Sequence, residues 1–473
     1  MTSASGAPAG RLSLPRLLAF AGGSIPAYLL LGIMGVYLPK FYASHLGISL
    51  LTLGATIAAI RLADLGVDLF LGILMDKTKT PIGRYKPWFL LGLPVLCVAV
   101  YKAFNPPEDA GISYLVLWYT LLYVAYSLLV LGHSAWAGTI TGEYNERSRI
   151  FGWMMGLGLA GSVSVNLLPK LTNGAINPAM ASSMPTLGWI VIVSAIIFVP
   201  LALAFAPEKA PPVAHKERLG FKDYAAVVTT PSMFRLILAD LFLTLGPGTT
   251  APMYIFFFHE AKKFSLAEVP LLLIFYVGAG VVGAPLWGRL ATRIGKHKAV
   301  QIACVAYAIT QATLMALPAG EFALTAAGMA AVGFCGSAFI LLVRAMVADV
   351  ADQLRLETGQ ERSGVLFALV TLTQKFGTSI TISIVYPILG YVGFNPKDGA
   401  LNTAHAIWGL EMCYLFAPIV LVLVGGTFFF GYTLTAERQG QIRADLEALA
   451  EKDVLAAEES MVGPGEAVAP ARS

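Results

Sequence analysis

Twelve runs of predominantly apolar residues follow one another along the chain, and that repetition constrains the fold more than any single residue does. Each run is near the roughly 20 residues a helix needs to cross the hydrocarbon core of a bilayer. In lipid only a helix or a closed barrel satisfies its own backbone, and runs of this length select the helix. They fall near 17–43, 50–75, 88–104, 112–140, 150–172, 186–206, 233–258, 268–291, 299–318, 322–348, 364–392 and 406–433. Composition agrees: 57% of the residues are hydrophobic and 13% charged, whereas about a quarter are charged in soluble domains. The segment 207–232 is polar and carries prolines. The expected organisation is therefore an all-α membrane protein with an N-terminal six-helix bundle at 1–206, a linker at 207–232, a C-terminal six-helix bundle at 233–434 and a tail at 435–473.

The formal net charge of +4 is small, and its placement matters more than its size. Lys77, Lys79, Arg84, Lys86, Arg147, Arg149, Lys216, Arg218, Arg293, Lys296, Lys298, Arg355 and Arg362 all fall in loops on one side of the alternation. Basic residues favour the cytoplasmic side, so both termini are expected there, in a multi-pass protein of the plasma (inner) membrane. A nucleic-acid partner is excluded, because no basic face is left over. The opening apolar run is too long for a cleavable signal core and reads as the first retained span. Cys97, Cys304, Cys335 and Cys413 are far apart in apolar runs, which gives neither a disulfide framework nor a zinc site. The tail from Thr435 has helix-forming composition and reads as a solvated helix.

The two halves echo each other. "GEYNERSRIFGW" recurs as "LETGQERSGVLFA", aligning Arg147 with Arg362 at an offset of 362 − 147 = 215. "GILMDKTKTPIGRYKP" recurs as "GRLATRIGKHKA", aligning Gly72 with Gly288 at 288 − 72 = 216. Nearly equal offsets indicate a duplicated unit, the architecture in which substrate sites lie between two repeats near the bilayer midplane.

Against that apolar background, Arg61, Asp64 and Asp68 in "AAIRLADLGVDLF" stand at i, i+3 and i+7, on one face of the second span. A buried aspartate must be paired, protonated or coordinating an ion, so such residues mark ion or proton paths. Lys375 in "LVTLTQKFGTSITIS" is the one charge of the eleventh span and lies at a matching depth. A mobile cation would compete with it for the two carboxylates, coupling ion binding to the packing of the halves; the alternative is a static ion pair that only fixes helices. His133 reads as a substrate contact or a hydrogen-bonded structural residue. Asp240 reads as a structural partner of Arg235 or as a transport residue, and Glu411 as an orphan charge or as a residue facing an outer vestibule. The loop residues Asp76, Arg84, Arg147, Arg293 and Arg362 are expected to pin helix ends and form a cytoplasmic gate.

"RLADLGVDLFLGILMDKTKTPIGRYKPW", "TITGEYNERSRIFG" and "DQLRLETGQERSGVLFALVTLTQKFG" resemble segments of the glycoside–pentoside–hexuronide:cation symporters, the branch of the major facilitator superfamily containing the melibiose permease and related lysolipid transporters. The resemblance implies a major facilitator fold of twelve transmembrane helices in two pseudo-symmetric bundles, working by alternating access on a sodium or proton gradient. It implies cation-site carboxylates at Asp64 and Asp68, a hydroxyl helper at Ser127, the helix 11 lysine at Lys375 and the helix 2 arginine at Arg61. Departures also follow. Val67 replaces an asparagine before the second aspartate, which favours a proton over sodium. Tyr28 and Val130 stand where galactoside-carrying members have carboxylates, Ser134 replaces an aromatic residue, and "GWMMG" lacks an arginine. Tyr28, His133, Trp136, Trp153 and Gln374 remain as candidate substrate contacts.

The function expected is cation-coupled symport of a sugar or glycoside, with a lysolipid or other amphipathic cargo, or an uncoupled uniporter or exporter, as the alternatives. No loop offers the clustered acid, base or metal ligands of an enzyme. No cofactor is expected beyond a transported Na+ or H+, and the partners are a small-molecule substrate and the lipid bilayer, with the chain acting as a monomer.

Overall fold

A computed structural model describes residues 12–141, 144–206, 208, 229–359 and 363–461, and among these no β-strand occurs. The linker 209–228 and Arg362 lie outside the described residues, as does the side chain of Asp76. The helices are α1 (Leu14–Ser44), α2 (Leu50–Lys77), α3 (Lys86–Phe104), α4 (Ile112–Ile140), α5 (Tyr144–Leu171), α6 (Met184–Phe205), α7 (Pro231–Phe256), α8 (Val269–Ile294), α9 (Lys296–Ala316), α10 (Phe322–Thr358), α11 (Ser363–Tyr391), α12 (Ala404–Thr427) and α13 (Ala436–Met461). Among the described residues eleven helices are long and apolar enough to cross a membrane. Among the helices of the bundle the exception is α2, which carries Arg61, Asp64 and Asp68 along its middle.

Local chemistry sets the boundaries. Ser49 caps α2 by accepting the Thr52 N–H at 3.2 Å, and α2 then runs 28 residues without proline or a break. Helix α1 is interrupted instead: Ile25 and Leu38 each start a segment with proline in its first turn, and a π-type turn occupies Ile33–Tyr37. A second π-type turn, Phe257–Ala261, continues α7. Helix α10 runs to Thr358, ten residues past the sequence-based boundary at 348, and stops at Gly359, whose φ of 67° gives the left-handed cap that glycine adopts without strain.

Within the first half α3 packs on α4 and α6, and α1 on α5 and α6; within the second, α8 packs on α10, α7 on α11 and α12, and α9 on α10 and α12. The halves meet where α2 packs on α11, α5 on α8 and α1 on α7. The end of the molecule carrying the basic loops is called the inner end here. Leu12 sits there, its N–H donating to Glu146 at 3.0 Å, and so does α13, where Gln439 donates to Asp352 at 2.7 Å and Arg443 approaches the same carboxylate at 3.7 Å. The tail is thus not a wholly solvated helix. Ile442 is buried against the core and ties the first turns of α13 to α10.

Candidate functional site

Helix α2 presents its charged face to α11 and α4. The Lys375 ammonium forms an ion pair with the Asp68 carboxylate, joining the two halves, and no other described residue hydrogen-bonds to that carboxylate. One turn earlier, Asp64 accepts a hydrogen bond from the buried Ser127 hydroxyl at 3.3 Å. Arg61 donates to the Thr378 carbonyl of α11 at 2.5 Å and lies 5.7 Å from the Tyr123 ring centroid. The Thr378 and Lys375 carbonyls of α11 also accept from hydroxyls of their own helix: Thr381 donates to Thr378 at 3.0 Å and Ser379 to Lys375 at 2.6 Å. The sequence-derived cluster of Arg61, Asp64, Asp68, Ser127 and Lys375 is therefore brought together in space. Its carboxylates carry two negative charges against one direct ammonium partner, a set able to take up a small cation or a proton.

Toward the outer end the halves are stitched. Ser383 donates to the Gly54 carbonyl at 3.1 Å, and a Cβ on Gly54 would stand 3.1 Å from both the Ile382 carbonyl and the Tyr386 Cβ, so α2 and α11 approach at backbone distance. Beyond them the nearly buried Lys40 pairs with Asp398 at 2.7 Å. Among the described residues, α4 makes no substantial packing with α10 or α11. The described bonds that join the halves thus lie at Asp68 and toward the outer end.

A second polar chain was not legible in the sequence. Asp240 of α7 is buried and accepts from the Gln374 amide at 3.1 Å, while its other oxygen has no partner. The Gln374 carbonyl in turn accepts from Arg344 of α10 at 3.4 Å. The expected Asp240–Arg235 interaction is absent: Arg235 donates to the Gly431 carbonyl at 3.1 Å. Gln374 adjoins Lys375, so this chain touches the cation cluster.

Two candidate substrate contacts take their structural alternative. His133 is buried, its ring 4.4 Å from Phe20 and stacked 4.9 Å from Phe89, with its nitrogens at Ser24 Oγ and the Phe20 carbonyl, 3.3 and 3.0 Å away. Trp136 is wholly buried in the same aromatic nest, with Lys86 over its ring at 5.2 Å. Both faces of these rings are spent on packing inside the first half. Tyr28 is half-buried, pressed over Gly158, where a Cβ would stand 2.6 Å from its ring, and within electrostatic range of Arg344 across the cavity. Trp153 is exposed on α5.

At the inner end, Arg147 donates to the Thr141 carbonyl at 3.4 Å, and Arg293 is exposed. The Arg84, Tyr85 and Lys86 N–H groups all donate to the Glu208 carboxylate, at 2.6, 2.9 and 3.2 Å, an anion seated on the free amides that open α3. Glu208 had no signal in the sequence beyond its place in a linker. Glu411 lies near Lys262, whose ammonium donates to the Met315 and Leu317 carbonyls at 2.6 and 2.7 Å. Among the described residues no group of three or more His, Cys, Asp or Glu is placed to hold a metal.

A multi-pass helical bundle, built from repeats and carrying its charges on the seam between them, defines a membrane transporter of the major facilitator fold. A family profile described as MFS/sugar transport protein matches residues 19–436, and the chain belongs to that family. Two curated relatives are each 24% identical. The sodium-dependent lysophosphatidylcholine symporter 1 of Homo sapiens aligns over 82% of this chain and 77% of its own length. The isoprimeverose transporter of Lactiplantibacillus pentosus aligns over 82% of each. Among solved structures, a bacterial homolog of the human lysosomal transporter Spinster, in an inward-facing and unoccupied conformation, superposes with a TM-score of 0.66 at 13% identity, covering 92% of this chain and 99% of its own.

Proposed function

We propose that the chain is a cation-coupled symporter of a sugar or glycoside in the plasma membrane, with α2 as its twelfth span and the basic-loop end in the cytoplasm. One observation carries this reading: the Asp68–Lys375 ion pair joins the halves, with Asp64 and Ser127 one turn away. A cation arriving at the two carboxylates displaces the ammonium, and the α2–α11 seam is then free to rearrange. Binding energy at one site is thereby spent on moving the halves. Val67, in place of a neutral oxygen ligand, favours a proton over sodium, because a proton needs only a carboxylate.

The test is uptake into proteoliposomes with sodium and pH gradients imposed separately. One of the two gradients is expected to drive accumulation in the wild type, and both Asp64→Asn and Asp68→Asn to abolish that dependence while facilitated exchange persists. Full gradient dependence in both variants would remove the coupling assignment. A lysolipid or other amphipathic cargo is the second reading, supported by a cavity without sugar-clasping carboxylates at Tyr28 and Val130 and by the lysophosphatidylcholine symporter among the relatives.

A further inference from the structure

Arg344 is not used by the coupling site. It lies within α10, whose 37 residues include the span through the membrane, yet its side chain is exposed. An arginine at that depth does not face hydrocarbon; it lines an aqueous cavity or meets a charge. Its neighbours identify the cavity: Gln374 on the same turn of α11 as Lys375, and Tyr28 from α1 of the opposite half. Its only described hydrogen bond is the 3.4 Å contact to the neutral Gln374 carbonyl, and no described carboxylate forms an ion pair with it. Asp240 is close enough to feel its charge, but Gln374 stands between them with its amide on the Asp240 carboxylate. Most of the guanidinium's five donors are left facing the cavity.

The formal charges around this space balance: Arg61, Arg344 and Lys375 against Asp64, Asp68 and Asp240. Loading one monovalent cation, sodium or proton, takes the sum to +1. An occluded site with unbalanced charge is costly to carry through a low-dielectric bundle. A cargo with one negative charge restores neutrality, and a planar guanidinium with open donors binds an oxyanion bidentately.

We propose that Arg344 is the substrate-reading group of this carrier and that its cargo bears an oxyanion, an assignment that rests on the symport reading above. The oxyanion is a carboxylate, sulfonate or phosphate, attached to a sugar or to an amphiphile. The cargo meets Arg344 and Tyr28, while the cation occupies the neighbouring α2 site, and the pair crosses as an electroneutral load.

Two matched ligand pairs separate the sources of the charge. 4-Nitrophenyl β-glucuronide and 4-nitrophenyl β-glucoside differ at one carboxylate; lysophosphatidylglycerol and monoacylglycerol differ by one phosphoglycerol group, whose single negative charge lies on its phosphate. Binding is measured on the full chain in nanodiscs, for wild type, Arg344→Gln and Arg344→Lys. The charged member of at least one pair is expected to bind wild type about 10-fold or more tightly than its neutral partner, the worth of a charge-assisted hydrogen bond pair. Arg344→Gln should erase that preference without weakening the neutral partner, and Arg344→Lys should keep part of it. No preference for charge in either pair would overturn the proposal, as would a preference that survives Arg344→Gln. If Arg344→Gln fails to fold, the wild-type comparison and Arg344→Lys still decide. The coupling variants Asp64→Asn and Asp68→Asn separate the two readings: charge preference retained with gradient dependence also retained in both sinks the assignment of coupling to these carboxylates but not the role of Arg344.

Discussion

The α2–α11 and α5–α8 seams occupy equivalent places under the internal duplication, which aligns α2 with α8 and α5 with α11. They have diverged in kind. The first is ionised and hydrogen-bonded from Gly54 through Arg61 to the Asp68–Lys375 pair. The second has no described hydrogen bond across its middle, and the small residues of its helices close on other neighbours, Gly158 and Gly161 on Tyr28 and Ile25 of α1, Gly280 and Gly283 on α10. Polar pairs in the membrane fix a discrete geometry, whereas a seam without them has no bond to break when it shifts. On the mechanism proposed above, the first seam registers the ion and the second accommodates the resulting movement.

That contrast can be broken by substitution. The largest effect belongs to Lys375→Met, which leaves Asp68 without its counter-charge. Because Lys375 is about one-third exposed, the expected loss is about 2–3 kcal/mol, under the range for fully buried pairs. Thermal melting should show it, and Lys375→Met/Asp68→Asn should recover most of it; an additive double variant would mean that the pair is not coupled. Next, Gly54→Leu forces α2 from α11 at the outer end, costing about 1–3 kcal/mol of the closed arrangement. Labelling of a cysteine placed at Ser383 should speed up accordingly. Ser127→Ala removes one hydrogen bond to Asp64, worth about 1 kcal/mol, and should weaken cation affinity severalfold in equilibrium binding. Smallest is Gly156→Ala on α5, where nothing lies within 4 Å of a new Cβ: melting should be unchanged or rise by up to about 1 kcal/mol, and uptake should persist. A severe defect there would show that the quiet seam is not quiet.

The cation cluster was legible because charge inside an apolar run has few explanations. Asp64, Asp68 and Lys375 carry their depth in their positions along the spans, and depth fixed which could meet. His133 and Trp136 stayed ambiguous for the opposite reason: amphipathic rings serve packing and binding alike, and the sequence does not say that Phe20 and Phe89 enclose them. Arg344 was overlooked although it stands inside the tenth span, because it lies next to the span's inner boundary at 348; the continuation of α10 to Thr358 places it well within the helix. Asp240 and Glu208 find partners from distant segments, Gln374 and the backbone opening α3, which periodicity cannot foretell.

The π-type turn at Ile33–Tyr37 lies inside α1, whereas the one at Phe257–Ala261 closes the end of α7; the two helices correspond under the duplication and pack on each other toward the outer end. The first holds a surplus residue inside an otherwise regular winding. Letting that surplus slip one position along the chain swings every side chain it passes by about 100° while the axis stays put. Lys40 lies just past the first turn, so the clasp with Asp398 can be unlatched by a local twist, with no need to tilt a whole helix through the lipid.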